Sequence, residues 1–188
     1  MPHTLILGTR PSKMAMLMAE TAKARLEASY SGLSIDIRTY ASTGDINQGD
    51  LKKSGGKGAF VKDLEQRLLS GEIDCAIHAL KDVPGDVDMH PELELACFFE
   101  REDPRDALIL RDGVAQPTNG TALTLATSSP RRRAFLRRLY PQATIIPLRG
   151  NVDTRMKKLQ DGQFDGMVLA YSGLVRLGLQ QHVSHCYT

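Results

Sequence analysis

The sequence predicts an α/β protein organised in two halves, and three observations carry that prediction. Short apolar, β-rich runs alternate with stretches whose apolar residues recur at helical spacing. A stretch of charge plus one proline, residues 100–105, interrupts the alternation near the middle of the chain. The run L-I-L-G-T-R-P-S from Leu5 returns as L-T-L-A-T-S-S-P from Leu123, the same strand, turn and helix start in each half. The expected division is therefore a first domain over 1–99, a hinge over 100–105 and a second domain over 106–188.

In the first half, residues 4–7 are β-rich, Gly8 and Pro11 end the run, and Ser12 offers an N-cap. Met14, Leu17, Met18, Ala22 and Leu26 follow at helical spacing, a helix over 13–28 with one apolar stripe. Ile35, Ile37 and Thr39 alternate with Asp36, Arg38 and Tyr40, a strand with one buried face. Residues 43–58 are rich in Gly, Asp, Asn, Lys and Ser without periodicity and read as a mobile loop. Phe60, Leu64 and Leu68 mark the next helix, with Gly71 as its stop. Ile73, Cys75 and Ile77 alternate as a strand leading into H-A-L-K-D-V-P, where Pro84 ends regular structure, and residues 93–99 are a further apolar run.

In the second half, residues 107–110 and 122–126 read as strands, and Ser128-Ser129-Pro130 is a helix start, with Ser as cap and Pro at the first helical position. Residues 144–148 read as a strand, Asn151 caps a helix through Leu159, and residues 164–170 form another apolar strand.

Composition narrows the function classes. Hydrophobic residues are 41% and charged residues 24%, the balance of a folded globular protein rather than a disordered one. No apolar run approaches the ~18 residues of a membrane span, and residues 1–10 lack a secretory leader's pattern, so a cytoplasmic location without a membrane partner is expected. Three widely spaced cysteines without a C-x-x-C pair argue against a disulfide framework or structural zinc, and the five histidines show no metal-ligand spacing. The net charge of +2 argues against a general nucleic-acid binder, and R-R-R-A-F-L-R-R lacks the preceding short-spaced helix of a helix-turn-helix. That small sum hides a split, however. Residues 1–120 hold 14 Lys and Arg against 19 Asp and Glu, while residues 121–188 hold 10 against 3. Such asymmetry marks either an anionic partner or a solvated basic face.

The arginines gather where helices open after strands. Arg10 and Ser12 follow the first strand, Arg131, Arg132 and Arg133 open the helix after Ser129, and Arg149 and Arg155 bracket the turn at Gly150. Guanidinium forks bind carboxylate or phosphate, and helix N-termini add their dipole, so these turns suit a polyanion. Arginine in a helix's first turn opposes that dipole, which favours an anion at Arg131 and Arg132 over bare solvent. Arg137 and Arg138 read as surface. G-G-K-G-A-F fails as a phosphate loop because Gly58 follows Lys57 where Ser or Thr is needed, yet Lys53 and Lys57 suit either a lid over an anion or ordinary solvated lysines. His78, Lys81 and Asp82 fall at the end of a strand, where α/β proteins place reactive groups. A carboxylate flanked by Lys81 stays ionised and stabilises a cation or accepts an N–H, although Asp before Val-Pro is also a common turn.

Taken together, G-T-R-P-S, G-G-K-G-A-F-V-K-D-L-E, I-D-C-A-I-H-A-L-K-D-V-P, D-P-R-D-A-L, T-S-S-P-R-R-R, L-R-G-N-V-D-T-R-M-K-K-L and L-A-Y-S-G-L-V-R-L-G-L occur in one order across almost the whole chain. In that combination the sequence resembles the porphobilinogen deaminase (hydroxymethylbilane synthase) family. The resemblance implies two doubly wound α/β domains like those of type II periplasmic binding proteins, with the active cleft between them. It also implies stepwise condensation of four porphobilinogen units to hydroxymethylbilane with loss of ammonia, on a dipyrromethane primer whose rings, like the substrate, carry acetate and propionate. By motif, Asp82 is the catalytic carboxylate and also contacts the cofactor. Lys81, Ser129, Arg131, Arg132 and Arg155 are cofactor-binding residues, and Arg10, Ser12, Arg149, Arg155 and Arg176 are substrate-binding residues. Lys53 and Lys57 belong to the mobile loop, no metal is implied, and a monomer is expected.

The sequence departs from the family at three places. Ala79 stands where a serine is usual, and Met18 replaces a usual glutamine. The chain also ends at V-S-H-C-Y-T, ahead of the segment that returns to the first domain and of the third, cofactor-attachment domain, and Cys186 lacks the G-G-C context of the attachment cysteine. The expectation is a shortened form inactive alone. The alternatives are a short, non-catalytic homologue that binds a carboxylated pyrrole or other small polyanion, and an unrelated anion-binding protein.

Overall fold

The computed structural model describes residues 3–41, 61–85 and 88–188. The chain divides into two compact units, Met1–Phe99 and Glu100–Thr188. In unit 1, β1 (His3–Thr9) leads through Arg10 and Pro11 to α1 (Lys13–Ser29), followed by β2 (Leu33–Thr39), α2 (Lys62–Leu69) and the two-residue β3 (Cys75–Ala76). The strands form a parallel sheet in the order β2-β1-β3. Alternation along β1 decides which helix covers which face. Leu7 packs with Ala19 and Ala22 of α1 and Ile35 of β2. Gly8 faces the other way, so close to Ile73 that a Cβ there would collide with Ile73 Cδ1, with Leu64 of α2 beside it.

In unit 2 the elements are β4 (Asp106–Leu110), β5 (Thr124–Ala126), α3 (Pro130–Leu139), β6 (Thr144–Ile146), α4 (Val152–Gln160), β7 (Gly166–Ala170), α5 (Tyr171–Arg176) and β8 (His185–Tyr187). The sheet order is β6-β5-β7-β4-β8, with β6, β5 and β7 parallel and β4 antiparallel to both β7 and β8. Period-two alternation again sorts the core. Leu108, Leu125 and Val168 pack against Leu136 of α3 and Tyr140 just after it, while Ala107, Ile109, Ala126, Met167 and Leu169 pack against Met156 and Leu159 of α4 and Leu174 of α5. Helices therefore cover both faces of the sheet, the doubly wound arrangement.

Several elements differ in extent from the sequence reading. The strand read at Ile73 to Ile77 is cut to Cys75–Ala76, the residues that pair with Leu7 and Gly8; Ile77 N still donates to Gly8 O at 3.1 Å before the chain enters a 3₁₀ turn at Leu80–Asp82. The apolar run 93–99 forms no strand, and Leu95, Phe98 and Phe99 are exposed, with Arg25 stacked over the Phe99 ring. Helix α5 and strand β8 carry too few residues for a periodic signal, six and three. Tertiary contact fixes β8 instead: the Tyr187 and Tyr140 hydroxyls meet at 3.0 Å, and the Tyr187 ring meets Phe135 edge-on. Among the described residues no helix is long and apolar enough to cross a membrane.

Candidate anion site at the strand ends

Topology concentrates the basic residues of unit 2 at one end of its sheet. Three parallel strands, β5, β6 and β7, each hand over to a helix there, and β4 starts there because Asp106 pairs with Ala170 at the end of β7. After β5, buried Thr127 accepts a hydrogen bond from Ser129 N at 3.2 Å, and Ser129 caps α3 by accepting from Arg132 N at 3.4 Å. Capping uses the acceptor side of Ser129 and leaves its hydroxyl proton for an anion. The first turn of α3 contains no acidic residue, so Arg131 and Arg132 meet the positive end of the helix dipole.

After β6 the chain turns at Gly150, whose φ of +108° suits glycine and where a Cβ would come within 2.8 Å of Thr154 Cγ2. Asn151 then caps α4 by accepting from Thr154 N at 2.8 Å. Arg155 folds back over this turn, its Nε donating to Gly150 O at 2.7 Å, and Lys158 Nζ donates to Arg149 O at 3.2 Å. Ser128 bolts the two turns together, because its hydroxyl donates to Leu148 O at 2.6 Å and accepts from Leu148 N at 3.0 Å. As a result Arg132 and Arg155 lie within electrostatic reach of each other. Burial, and then the neighbouring Arg132 charge, hold the Arg155 guanidinium below its ordinary pKa. Arg132 also makes an ion pair with Asp106 at 2.7 Å. Arg149 is exposed beyond buried Leu148, and Arg176, at the end of α5, pairs with Glu102.

In unit 1, Ser12 caps α1 by accepting from Ala15 N at 3.3 Å, and half-buried Arg10 stands between that cap and the end of β1. Lys81 and Asp82 lie exposed in the 3₁₀ turn, where Asp82 N donates to Ala79 O at 2.8 Å. Half-buried His78 lies within electrostatic reach of both Asp82 and Arg10. Burial lowers its pKa, Asp82 opposes that shift and Arg10 adds to it. Arg10, His78 and Asp82 therefore form one neighbourhood. Lys53 and Lys57 lie outside the described residues.

The sequence reading located the two serine caps, the Asn151 cap and the arginine-bearing turns, and it placed Arg137 and Arg138 on the surface, where both are exposed. It missed Ser128 and Asp106. A bridge or an ion pair across 20 or more residues leaves no local pattern, and the available signal was only that D-P-R-D and T-S-S-P are dense in polar groups next to apolar strands.

Fold and site together define a two-unit α/β protein with arginine-lined strand ends suited to an anionic ligand. The family model for porphobilinogen deaminase, dipyrromethane cofactor binding domain, matches residues 5–188, and the chain belongs to that family. It is similar to porphobilinogen deaminase of Chromobacterium violaceum, 45% identical over 180 residues, covering 95% of this chain and 58% of the relative. The relative from Thiobacillus denitrificans is 46% identical over 178 residues, covering 94% and 58%, and that from Roseiflexus is 40% identical over 185 residues, covering 98% and 60%. The chain thus spans about three fifths of the length of these relatives. Among solved structures, an ancestral arginine-binding protein bound to glutamine matches with a TM-score of 0.43 at 15% identity, covering 96% of this chain and 75% of that one.

Proposed function

We propose that the chain supplies the substrate- and cofactor-holding α/β units of a porphobilinogen deaminase, in which four porphobilinogen molecules are condensed to hydroxymethylbilane with release of ammonia. The observation that carries this reading is that Ser128 joins the starts of α3 and α4, which sets Arg132 and Arg155 within electrostatic reach of each other. Two cations held that close suit a ligand with several carboxylates, and a dipyrromethane with an acetate and a propionate on each ring has that chemistry. Ser129, Arg131, Arg132 and Arg155 of unit 2 have the chemistry to hold this group, and the family motif adds Lys81 and Asp82 to its ligands. When bound, the dipyrromethane supplies the pyrrole carbon from which the chain is extended.

The protein's own residues bind and orient. Arg10, Ser12, Arg149, Arg155 and Arg176 take the carboxylates of the incoming and growing pyrroles. Asp82 accepts pyrrole N–H hydrogen bonds and stabilises the cation left on the substrate as ammonia departs, a role that needs an ionised carboxylate. Ala79, in place of a hydroxyl residue, gives up one hydrogen bond to a charged group, worth ~1.5 to 3 kcal/mol, which the arginines offset.

The test is calorimetric titration with a dipyrromethane carboxylate at one ionic strength. Arg132→Ala and Arg155→Ala each remove a charged hydrogen-bond donor and weaken binding by about tenfold to a hundredfold, while Arg138→Ala leaves it unchanged. Added salt lowers wild-type affinity. Equal losses in all three variants would reduce the effect to nonspecific attraction and sink the reading.

A further inference from the structure

We propose that Asp106 is a positioning residue of the unit 2 anion site: its carboxylate holds the Arg132 guanidinium beside Arg155 and leaves the remaining guanidinium nitrogens to a carboxylate ligand. This rests on the anion-site reading above and adds to it a residue that contacts the arginine rather than the ligand.

Asp106 is well placed to be rigid. As the first residue of β4 it lies opposite Ala170 of β7 and opposite Tyr187 of β8, so its backbone is paired on both sides. Because β4 runs antiparallel to β7, its first residue lies at the sheet end where β5, β6 and β7 release their helices. From there the side chain reaches Arg132, 26 residues away in sequence, with Oδ1 accepting from Nη2 at 2.7 Å. The nearby acidic groups are otherwise engaged. Asp103 takes Arg105 through Nε and Nη2 at 3.0 and 2.6 Å, and Glu102 takes Arg176.

The form of the contact matters. A bidentate pair would occupy one whole edge of the guanidinium, whereas a bond from Nη2 alone fixes its direction and leaves Nε and Nη1 as donors. Arg132 needs such a tether. Its neighbour Arg155 is half-buried and anchored to Gly150 O, so mutual repulsion without an acceptor oxygen to hold Arg132 would drive its guanidinium toward water. With the ion pair formed, the Arg132 side chain is 19% exposed.

Two variants of the 188-residue chain separate holding from neutralising. Asp106→Asn keeps an acceptor oxygen and removes the charge, so Arg132 stays in place in a more positive site. Asp106→Ala removes both. Side-chain ¹⁵N NMR of the free protein is expected to show a dispersed, slowly exchanging Arg132 set in wild type and Asp106→Asn that collapses in Asp106→Ala. Calorimetry with glutarate at low salt is expected to show about threefold tighter binding for Asp106→Asn and about tenfold weaker binding for Asp106→Ala. A purely structural role would instead weaken both variants alike. That result, or a dispersed Arg132 set persisting in Asp106→Ala, overturns the proposal. Wild type that ignores glutarate while Arg132 still depends on Asp106 would sink the anion-site reading and leave the positioning role standing.

Discussion

Replacing Ser128 with alanine removes one oxygen that serves two buried backbone groups. Leu148 is 2% exposed, and the Ser128 hydroxyl satisfies both its N–H and its C=O. Each buried group left without a partner costs ~1 to 3 kcal/mol, and water entry recovers part of that, so a loss of about 2 to 3 kcal/mol is expected. With a urea slope of about 2 kcal/mol per molar, the unfolding midpoint moves down by roughly 1 M. The assay is urea unfolding followed by circular dichroism, with Arg138→Ala as an exposed control. Because Ser128 also sets the start of α3 against the start of α4, porphobilinogen binding by the folded variant falls together with stability. A Ser128→Ala midpoint within about 0.2 M of wild type, which at that slope is a loss of under ~0.5 kcal/mol, would refute the claim that this hydroxyl joins the two turns.

Gly150→Ala places a Cβ against Thr154 at a φ of +108° and is expected to lower stability by ~2 kcal/mol or more; Thr154→Ala in the same chain recovers part of the loss, as thermal melts of the single and double variants will show. Burial pushes the Cys75 thiol from its ordinary 9.0 up to about 11, so iodoacetamide at pH 8 labels exposed Cys97 well before Cys75, and denaturation erases the difference, as peptide mass spectrometry reads. A raised thiol pKa favours the neutral form in the fold, so this contribution to stability is complete below pH 9.0 and is lost as pH rises through about 11. His78 titrates below its ordinary 6.5, and NMR titration is expected to move it lower still in Asp82→Asn and higher in Arg10→Ala. Its neutral form is the one the fold favours, so its contribution is present above 6.5 and is lost as pH falls through the depressed value.

What was legible in the sequence was local. Ser12, Ser129 and Asn151 each sit immediately before a run of helical periodicity, and each caps the helix it precedes. The α/β class followed from alternation of period, and the arginine-bearing turns followed from their place after strands. The rest depends on pairs distant in sequence. Nothing near Ser128 signals Leu148, nothing near Asp106 signals Arg132, and β8 exists because Asp106 to Leu108 offer it a ladder and Tyr140 offers Tyr187 a hydroxyl. Burial gave the same lesson in reverse. The run 93–99 has the composition of a core strand, yet composition does not say what lies beside it, and Phe98 is 64% exposed.

The way the two sheets finish has a consequence for how the protein behaves at high concentration. A sheet margin is a row of unpaired N–H and C=O groups that recruits strands from other molecules. In unit 2 both margins, β6 and β8, are only three residues long, too short to template much of a ladder. In unit 1 the outer strand β2 is seven residues long, but Ser34, Asp36 and Arg38 alternate along its exposed side and Arg38 bonds Asp36 at 3.0 Å. An incoming strand would have to strip water from that charged pair and displace Glu27 and Lys23 from Ile35 N and O, each bonded at 2.8 Å. Among the described residues, the unit 2 margins and the β2 margin of unit 1 thus resist self-association by different means, brevity in one unit and charge in the other. Substituting apolar residues for Asp36 and Arg38 would turn the long margin into an adhesive one while leaving the buried face of β2, with Ile35 at its centre, untouched.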